Sequence, residues 1–277
     1  MRILAIVTAA LLVAFPASAA ERVLGLGGSI IEIIYALGEQ DRLVARDLTA
    51  RYPPEAVELP DVGYVRRLSP EGVLSVTPDL IVAIEGSGPP ETIELLEQAS
   101  VPFVEIPEAD TKEGVIAKIV AVGDALDVKD KAAALAADVE AALNAAEAKV
   151  KSVSGDPKRV MFILSTRGGR IMAGGQNSRA DAIIRMAGGV NAVQGVDGYK
   201  QLSEEAVSAA APDVILLMAR DGGHGAAVED LIAMPALSVT PAAKTKSVVY
   251  MDGQYLLGFG PRTADAVTDL STALYGE

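Results

Sequence analysis

Tyr64 and Arg66 stand two positions apart in the run DVGYVRRLSPEG, which starts at Asp61. A tyrosine phenolate is a hard anionic oxygen donor, but a free tyrosine titrates near pH ~10. A cation at the spacing of Arg66 typically lowers an anion's pKa by about 1–3 units, so the pair could supply that donor at neutral pH. The same residues also suit an exposed loop, with a tyrosine following Gly63 and a solvated arginine. Arg67, Arg46 and Arg51 lie near the same loops, and guanidinium forks match carboxylates. Each is explained as well by a surface arginine offsetting an acidic protein; Arg67 is the one retained as a carboxylate-binding candidate.

Other chemistries are excluded or weak. The chain has no cysteine, which removes disulfides, zinc–thiolate sites, iron–sulfur clusters, thiol catalysis and a lipidated N-terminal cysteine. A single histidine, His224, rules out histidine-rich metal cages. No serine stands in a recognisable arrangement with it. The GLGGS run at 25–29 follows an apolar stretch like a phosphate-binding turn, yet it lacks the P-loop lysine and the full glycine spacing. Ser29 with Glu32 reads better as a capping box. The glycines of RGGR and MAGG between 167 and 175 read as turns. With 24 basic and 37 acidic residues, the net charge is −13, which disfavours nucleic acid and anionic membranes as partners.

A chain of 277 residues, half of them hydrophobic, suits two packed domains. Residues 1–20 combine Arg2, an apolar run from Ile3 to Phe15 and a small-residue site at Ala17–Ala19, the form of a secretory signal peptide. An exported protein without cysteine suits a bacterial periplasm. One repeat then organises the rest. DVGYVRRLSPEGVLSVTPDLIVAIEGSG from Asp61 and VDGYKQLSEEAVSAAAPDVILLMARDGG from Val196 share G-Y, L-S-x-E-x-V, P-D and a closing apolar run. In each copy the spacing predicts a short helix (Glu71–Val76, Glu205–Ala210), a Pro-Asp turn and a buried strand (Leu80–Ile84, Val214–Met218).

The strands Val23–Leu26, Leu43–Ala45 and Phe103–Ile106 are expected in the first half, with Val160–Leu164 and Val248–Met251 in the second. Helices are expected at Ser29–Leu37, Glu91–Ala99, Lys112–Leu126, Arg179–Ala187, Ala227–Met234 and Thr263–Tyr275. This alternation predicts an α/β fold with mainly parallel sheets covered on both faces. Val128–Val153 contains neither Gly nor Pro and predicts a rod of roughly 39 Å. The division is therefore an N-terminal lobe at 21–126, a connecting helix at 127–154 and a C-terminal lobe at 155–277. The cleft between the lobes is the expected ligand site.

The signal peptide, the paired lobes, the long helix, the GGSIIEIIYALG opening, G-Y-x-R before L-S-x-E-G and YLLGFGPR at 255–262 carry a resemblance. Together they resemble the substrate-binding components of bacterial haem-uptake ABC transporters, within the helix-linked group that also holds cobalamin and siderophore binders. The resemblance implies Tyr64 as axial ligand of ferric haem, supported by Arg66, with Arg67 placed for a propionate. It implies transport without catalysis, haem as the carried ligand, a dimeric permease with its ATPase as partner, and a monomer in solution. Some members carry a haem-ligating histidine after the first strand of the second lobe; here that stretch reads LSTRGGRIM, which puts such a ligand in doubt.

Tyr199 occupies the second lobe's counterpart of the Tyr64 loop and is expected to face the cleft, or else to be a turn residue. His224 in DGGHG, Tyr255 and Phe259 are further candidate cleft contacts, with exposure or core packing as the alternatives. Glu71 and Glu205 hold the same place in the repeat. They are candidates for docking on the permease, or acids favoured by a helix start. The same scaffold carrying a ferric siderophore or a corrinoid is the alternative reading. A secreted two-lobed α/β enzyme is a remote one, without a recognisable acid–base pair.

Overall fold

The computed structural model describes residues 20–219 and 227–276. The first half runs β1 (Val23–Leu26), α1 (Gly28–Ala36), β2 (Leu43–Arg46), α2 (Pro70–Ser75), β3 (Leu80–Ile84), α3 (Pro90–Gln98), β4 (Phe103–Ile106) and α4 (Lys112–Ala125). Its sheet is wholly parallel in the order β2-β1-β3-β4. β1 and β3 lie in the middle of it and are buried along their whole length, which is why both are written as unbroken apolar runs.

The connecting helix α5 (Lys129–Ser152) is 24 residues long, about 36 Å at 1.5 Å per residue. Its buried face is Ala132, Ala136, Val139, Leu143 and Ala146, a repeat of four and three residues that draws one stripe along the helix. Small residues on that stripe let α4 come close. A Cβ added at Gly123 of α4 would lie 2.1 Å from the Ala132 methyl, so the crossing requires glycine.

The second half runs β5 (Arg159–Ser165), β6 (Ile171–Gly174), α6 (Arg179–Met186), β7 (Val190–Asn191), β8 (Tyr199–Leu202), α7 (Glu204–Ala210), β9 (Val214–Ala219), α8 (Val228–Ile232), α9 (Pro235–Ser238), α10 (Pro241–Thr245), β10 (Val248–Asp252), α11 (Gly253–Leu257) and α12 (Thr263–Tyr275). Its sheet has the order β10-β9-β5-β6-β8, with the short β7 also paired to β5. β10, β9 and β5 are parallel, whereas β6 and β8 join antiparallel. β6 lies inside the sheet and β8 at its edge; both depart from the sequence reading, which placed turns between 167 and 175 and left Tyr199 as a cleft contact or a turn residue. Both are only four residues long and lie beside glycines, and β8, written YKQL, is largely polar. The helix expected over Ala227–Met234 is the shorter α8, and Pro235 then opens α9.

The repeat reappears as matching local structure. Ser69 and Ser203 are the N-caps of α2 and α7, and their hydroxyls accept from the Gly72 and Ala206 amides. No capping box forms at Ser29 and Glu32. Gly27 is the N-cap of α1 without a side-chain cap, so Ser29 lies inside the helix and Glu32 is free to reach the other lobe.

Candidate functional site

The C-terminal ends of the parallel strands of both sheets open on one cleft, where open α/β sheets gather ligands. It has a volume of about 810 Å³ and is lined from the first lobe by Gly27, Gly28, Ser29, Thr49, Arg51, Tyr64, Val65, Arg66, Ile84 and Glu108. The second lobe supplies Ile163–Thr166, Arg179, Leu217–Ala219, Tyr250 and the 252–254 and 257–258 segments. A separate groove of about 770 Å³ runs beside α5, bordered by Leu143, Val150, Met186 and Val267. It touches none of the strand ends.

The first-lobe rim is built by a buried carboxylate. Asp47, just past β2, accepts from the Gly27 amide at 2.7 Å, the Thr49 amide at 2.8 Å and the Thr49 hydroxyl at 2.7 Å. Burial pushes its carboxyl up, and these bonds oppose that. Thr49 Oγ1 in turn accepts from the Gly28 amide. The turn into α1 is thereby fastened to the loop after β2. Arg46 is buried and donates to the carbonyls of Ala56, Asp47 and Val57, so it braces this rim from within.

The Tyr64 loop is pinned on both sides. Asp61 Oδ1 accepts from the Gly63 amide, and Gly63 O accepts from Leu48 N. Gly63 sits at φ +103, a left-handed geometry that favours glycine. Arg67 N donates to Tyr64 O at 2.7 Å, closing a turn, and Val65 is buried with its carbonyl accepting from Gly88 N. With Val65 anchored, Tyr64 stands 43% exposed in the cleft. Arg66 also lines the cleft and donates from Nη1 to Gly86 O at 2.6 Å. Among the described residues no carboxylate forms an ion pair with Arg66. Arg67 is exposed and is not among the described residues lining the cleft.

The remaining candidates separate. Tyr199 opens β8 opposite Gly174, with its ring edge-on to Phe162 at 6.2 Å and its hydroxyl against Ala180 and Ser178. Burial pushes its phenol up. It therefore packs within the second lobe and is not among the described cleft-lining residues, because its segment pairs as a strand where the Tyr64 segment is a loop. Tyr255 caps its phenol on Asp269 Oδ2 at 2.8 Å, and Phe259 is buried in the core. Neither lines the cleft, although Gln254, Leu257 and Gly258 from the same stretch do. His224 lies outside the described residues, as do residues 1–19 of the expected signal peptide. Glu71 and Glu205 are both exposed at the second position of their helices, α2 and α7.

Sequence reasoning missed a set of side chains that join the lobes. Gln254 Oε1 accepts from the Arg51 and Tyr52 amides, while its Nε2 donates to Gly28 O at 2.9 Å. Arg262 pairs with the buried Glu32 and lies over the Tyr52 ring, 3.4 Å from its centroid. Lys118, fully buried on α4, pairs with Glu108 and donates to Phe259 O at 3.1 Å. Arg179, the first residue of α6, pairs with Glu108 and Asp110 of the first lobe.

Comparison with known proteins agrees with this architecture. The periplasmic binding protein family model matches residues 23–255. The chain is similar to the periplasmic haem-binding protein BhuT, solved with two haems, at 42% identity and a TM-score of 0.87, covering 92% of this chain and 98% of that one. It is 26% identical to the ABC transporter substrate-binding lipoprotein YvrC of Bacillus subtilis (strain 168), over 92% of this chain and 80% of that protein. It is 27% identical to the vitamin B12-binding protein of Vibrio parahaemolyticus, over 90% of this chain and 88% of that protein. The relatives are transport proteins rather than enzymes, and the chain belongs to the periplasmic binding protein family, as the substrate-binding component of an ABC transporter.

Proposed function

We propose that this protein captures ferric haem in the periplasm and delivers it to a dimeric inner-membrane ABC permease, with Tyr64 as the axial iron ligand. The observation that carries this reading is the placement of Tyr64. Its phenol is exposed within the cleft on a loop fastened by Gly63 and Val65, and Arg66, whose guanidinium donates to Gly86 O, lines the same cleft. A phenolate is one of the few protein groups that satisfy ferric haem, and a neighbouring cation stabilises it. The similarity to BhuT supports the same ligand class.

Charge separates haem from a corrinoid, the alternative suggested by the vitamin B12-binding relative. Among the described residues, the cleft is lined by Arg51, Arg66 and Arg179 against Glu108 and Asp252, a positive balance inside a chain of net charge −13. Haem brings two propionates that match it. In this reading the exposed Glu71 and Glu205, one on each lobe, dock on the two halves of the permease. The test is a visible absorption titration of the purified protein with ferric haem beside cyanocobalamin and a ferric siderophore. Saturable binding of haem alone, at one or two equivalents, is expected. Saturation by cobalamin or the siderophore and not by haem overturns the assignment.

A further inference from the structure

We propose that Arg179 is a carboxylate-recognising residue of the second lobe, held ready in the cleft by Glu108 as a resident counterion. The inference rests on the haem reading for the source of the carboxylate, but its geometry is independent of Tyr64. Arg179 lines the cleft from the lobe opposite Tyr64 and Arg66. It is the first residue of α6, fixed there because Ser178 caps the helix through the Asp181 amide.

Its guanidinium is placed by three contacts: Nη2 with Glu108, Nε with Asp110 at 3.4 Å, and Nη1 donating to Leu257 O at 3.3 Å. Of these only the contact with Leu257 is a hydrogen bond; those with Glu108 and Asp110 are ion pairs whose Oε2 and Oδ1 accept no hydrogen bond, so most of the fork's five N–H groups are uncommitted. The side chain retains 27% exposure while Glu108 retains 9%, so the cation is the member of the pair more open to solvent. Glu108 is also shared with the fully buried Lys118. Glu108 and Asp110 match Lys118 and Arg179 in number, but Glu108 is divided between both cations, which leaves Arg179 open to a further carboxylate.

Arg66 strengthens that tendency from across the cleft. Burial lowers the proton affinity of Arg179, and the field of Arg66 adds to the effect, so the two guanidiniums sense each other. Like charges facing a partly desolvated cleft are relieved by an anion placed between the lobes. A propionate is such an anion, and a planar guanidinium grips it in two bonds. The ligand would then touch both lobes through separate groups: iron on Tyr64 and a carboxylate on Arg179.

The test compares porphyrins with and without free carboxylates. Wild type, Arg179→Met and Glu108→Gln are titrated with metal-free protoporphyrin IX and its dimethyl ester by tryptophan-independent porphyrin fluorescence, and with ferric haem and its dimethyl ester by absorption. Wild type is expected to prefer the free acids by about tenfold or more. Arg179→Met should lose most of that preference while keeping the wild-type iron-ligand spectrum. Glu108→Gln, which keeps shape and removes the competing charge, should increase the preference severalfold, so the inference remains testable if Arg179→Met fails to fold. An acid-to-ester ratio unchanged in the variants overturns it. Loss of the ratio in Arg179→Met with a haem spectrum indifferent to Tyr64 would leave Arg179 in this role and remove the tyrosinate reading instead.

Discussion

Arg262 and Glu32 meet across the two lobes in a forked ion pair, with Nε 3.0 Å from Oε1 and Nη2 2.8 Å from Oε2. The Glu32 side chain is 6% exposed, so its charge has little water to fall back on if the arginine is removed. Arg262→Ala is expected to cost about 3 kcal/mol by stranding that carboxylate. For a chain of this size the midpoint of thermal unfolding should fall by roughly 6–12 °C. Calorimetry of the ligand-free protein measures it. An unchanged midpoint would mean that the pair does not hold the lobes together.

Lys118 gives the stability a pH signature. Burial pushes its ammonium down to about 8, from an ordinary value of 10.5. The unfolded chain keeps that proton up to its ordinary value, so between about pH 8 and 10.5 the unfolded state binds more protons than the folded one. Stability contributed through this group therefore rises with pH across that window and is flat below it. Urea unfolding of wild type and Lys118→Met at about pH 7.5 and 9.5 should show a rising difference that the variant lacks. A wild-type profile no steeper than the variant's contradicts this.

Tyr199 separates packing from ligand contact. Its ring rests on Phe162 and its hydroxyl against Ala180 inside the second lobe. Tyr199→Phe should leave haem affinity within about twofold of wild type while lowering stability by roughly 1 kcal/mol. A tenfold loss of haem binding in a normally folded variant would instead place Tyr199 in the cleft.

Glu71 and Glu205 test docking. Both carboxylates are exposed, at equivalent positions one on each lobe. The double variant Glu71→Ala, Glu205→Ala should leave the haem titration unchanged. Stimulation of the reconstituted transporter's ATPase should fall about tenfold or more, the scale of one interfacial charge pair. Full stimulation would leave these residues only as favourable helix-start acids.

Much of this arrangement is legible in the chain because it is written locally. L-S-x-E marks a serine N-cap and an acid in the first turn, and both copies, at Ser69 and Ser203, form that structure. The unbroken apolar runs at Leu80–Ile84 and Val214–Met218 become central strands. The repeat misleads where its copies diverge: 199–202 pairs with β6, so Tyr199 turns inward although Tyr64 does not. The cross-lobe residues leave no local trace. Gln254 meets Gly28 across 226 positions, and Arg179 meets Glu108 only because two sheets face each other. The Ser29–Glu32 spacing does suggest a capping box, yet the long-range pull of Arg262 on Glu32 decides that side chain.

The most direct measurement is a ferric haem titration of Tyr64→Phe beside wild type, followed by visible absorption. Phe keeps the ring and its packing on the loop and removes the oxygen alone. The account predicts a saturable high-spin tyrosinate spectrum in the wild type, with that spectrum lost in the variant and affinity reduced about tenfold or more. Identical spectra and affinities in the two proteins would contradict it and move the iron ligand away from Tyr64.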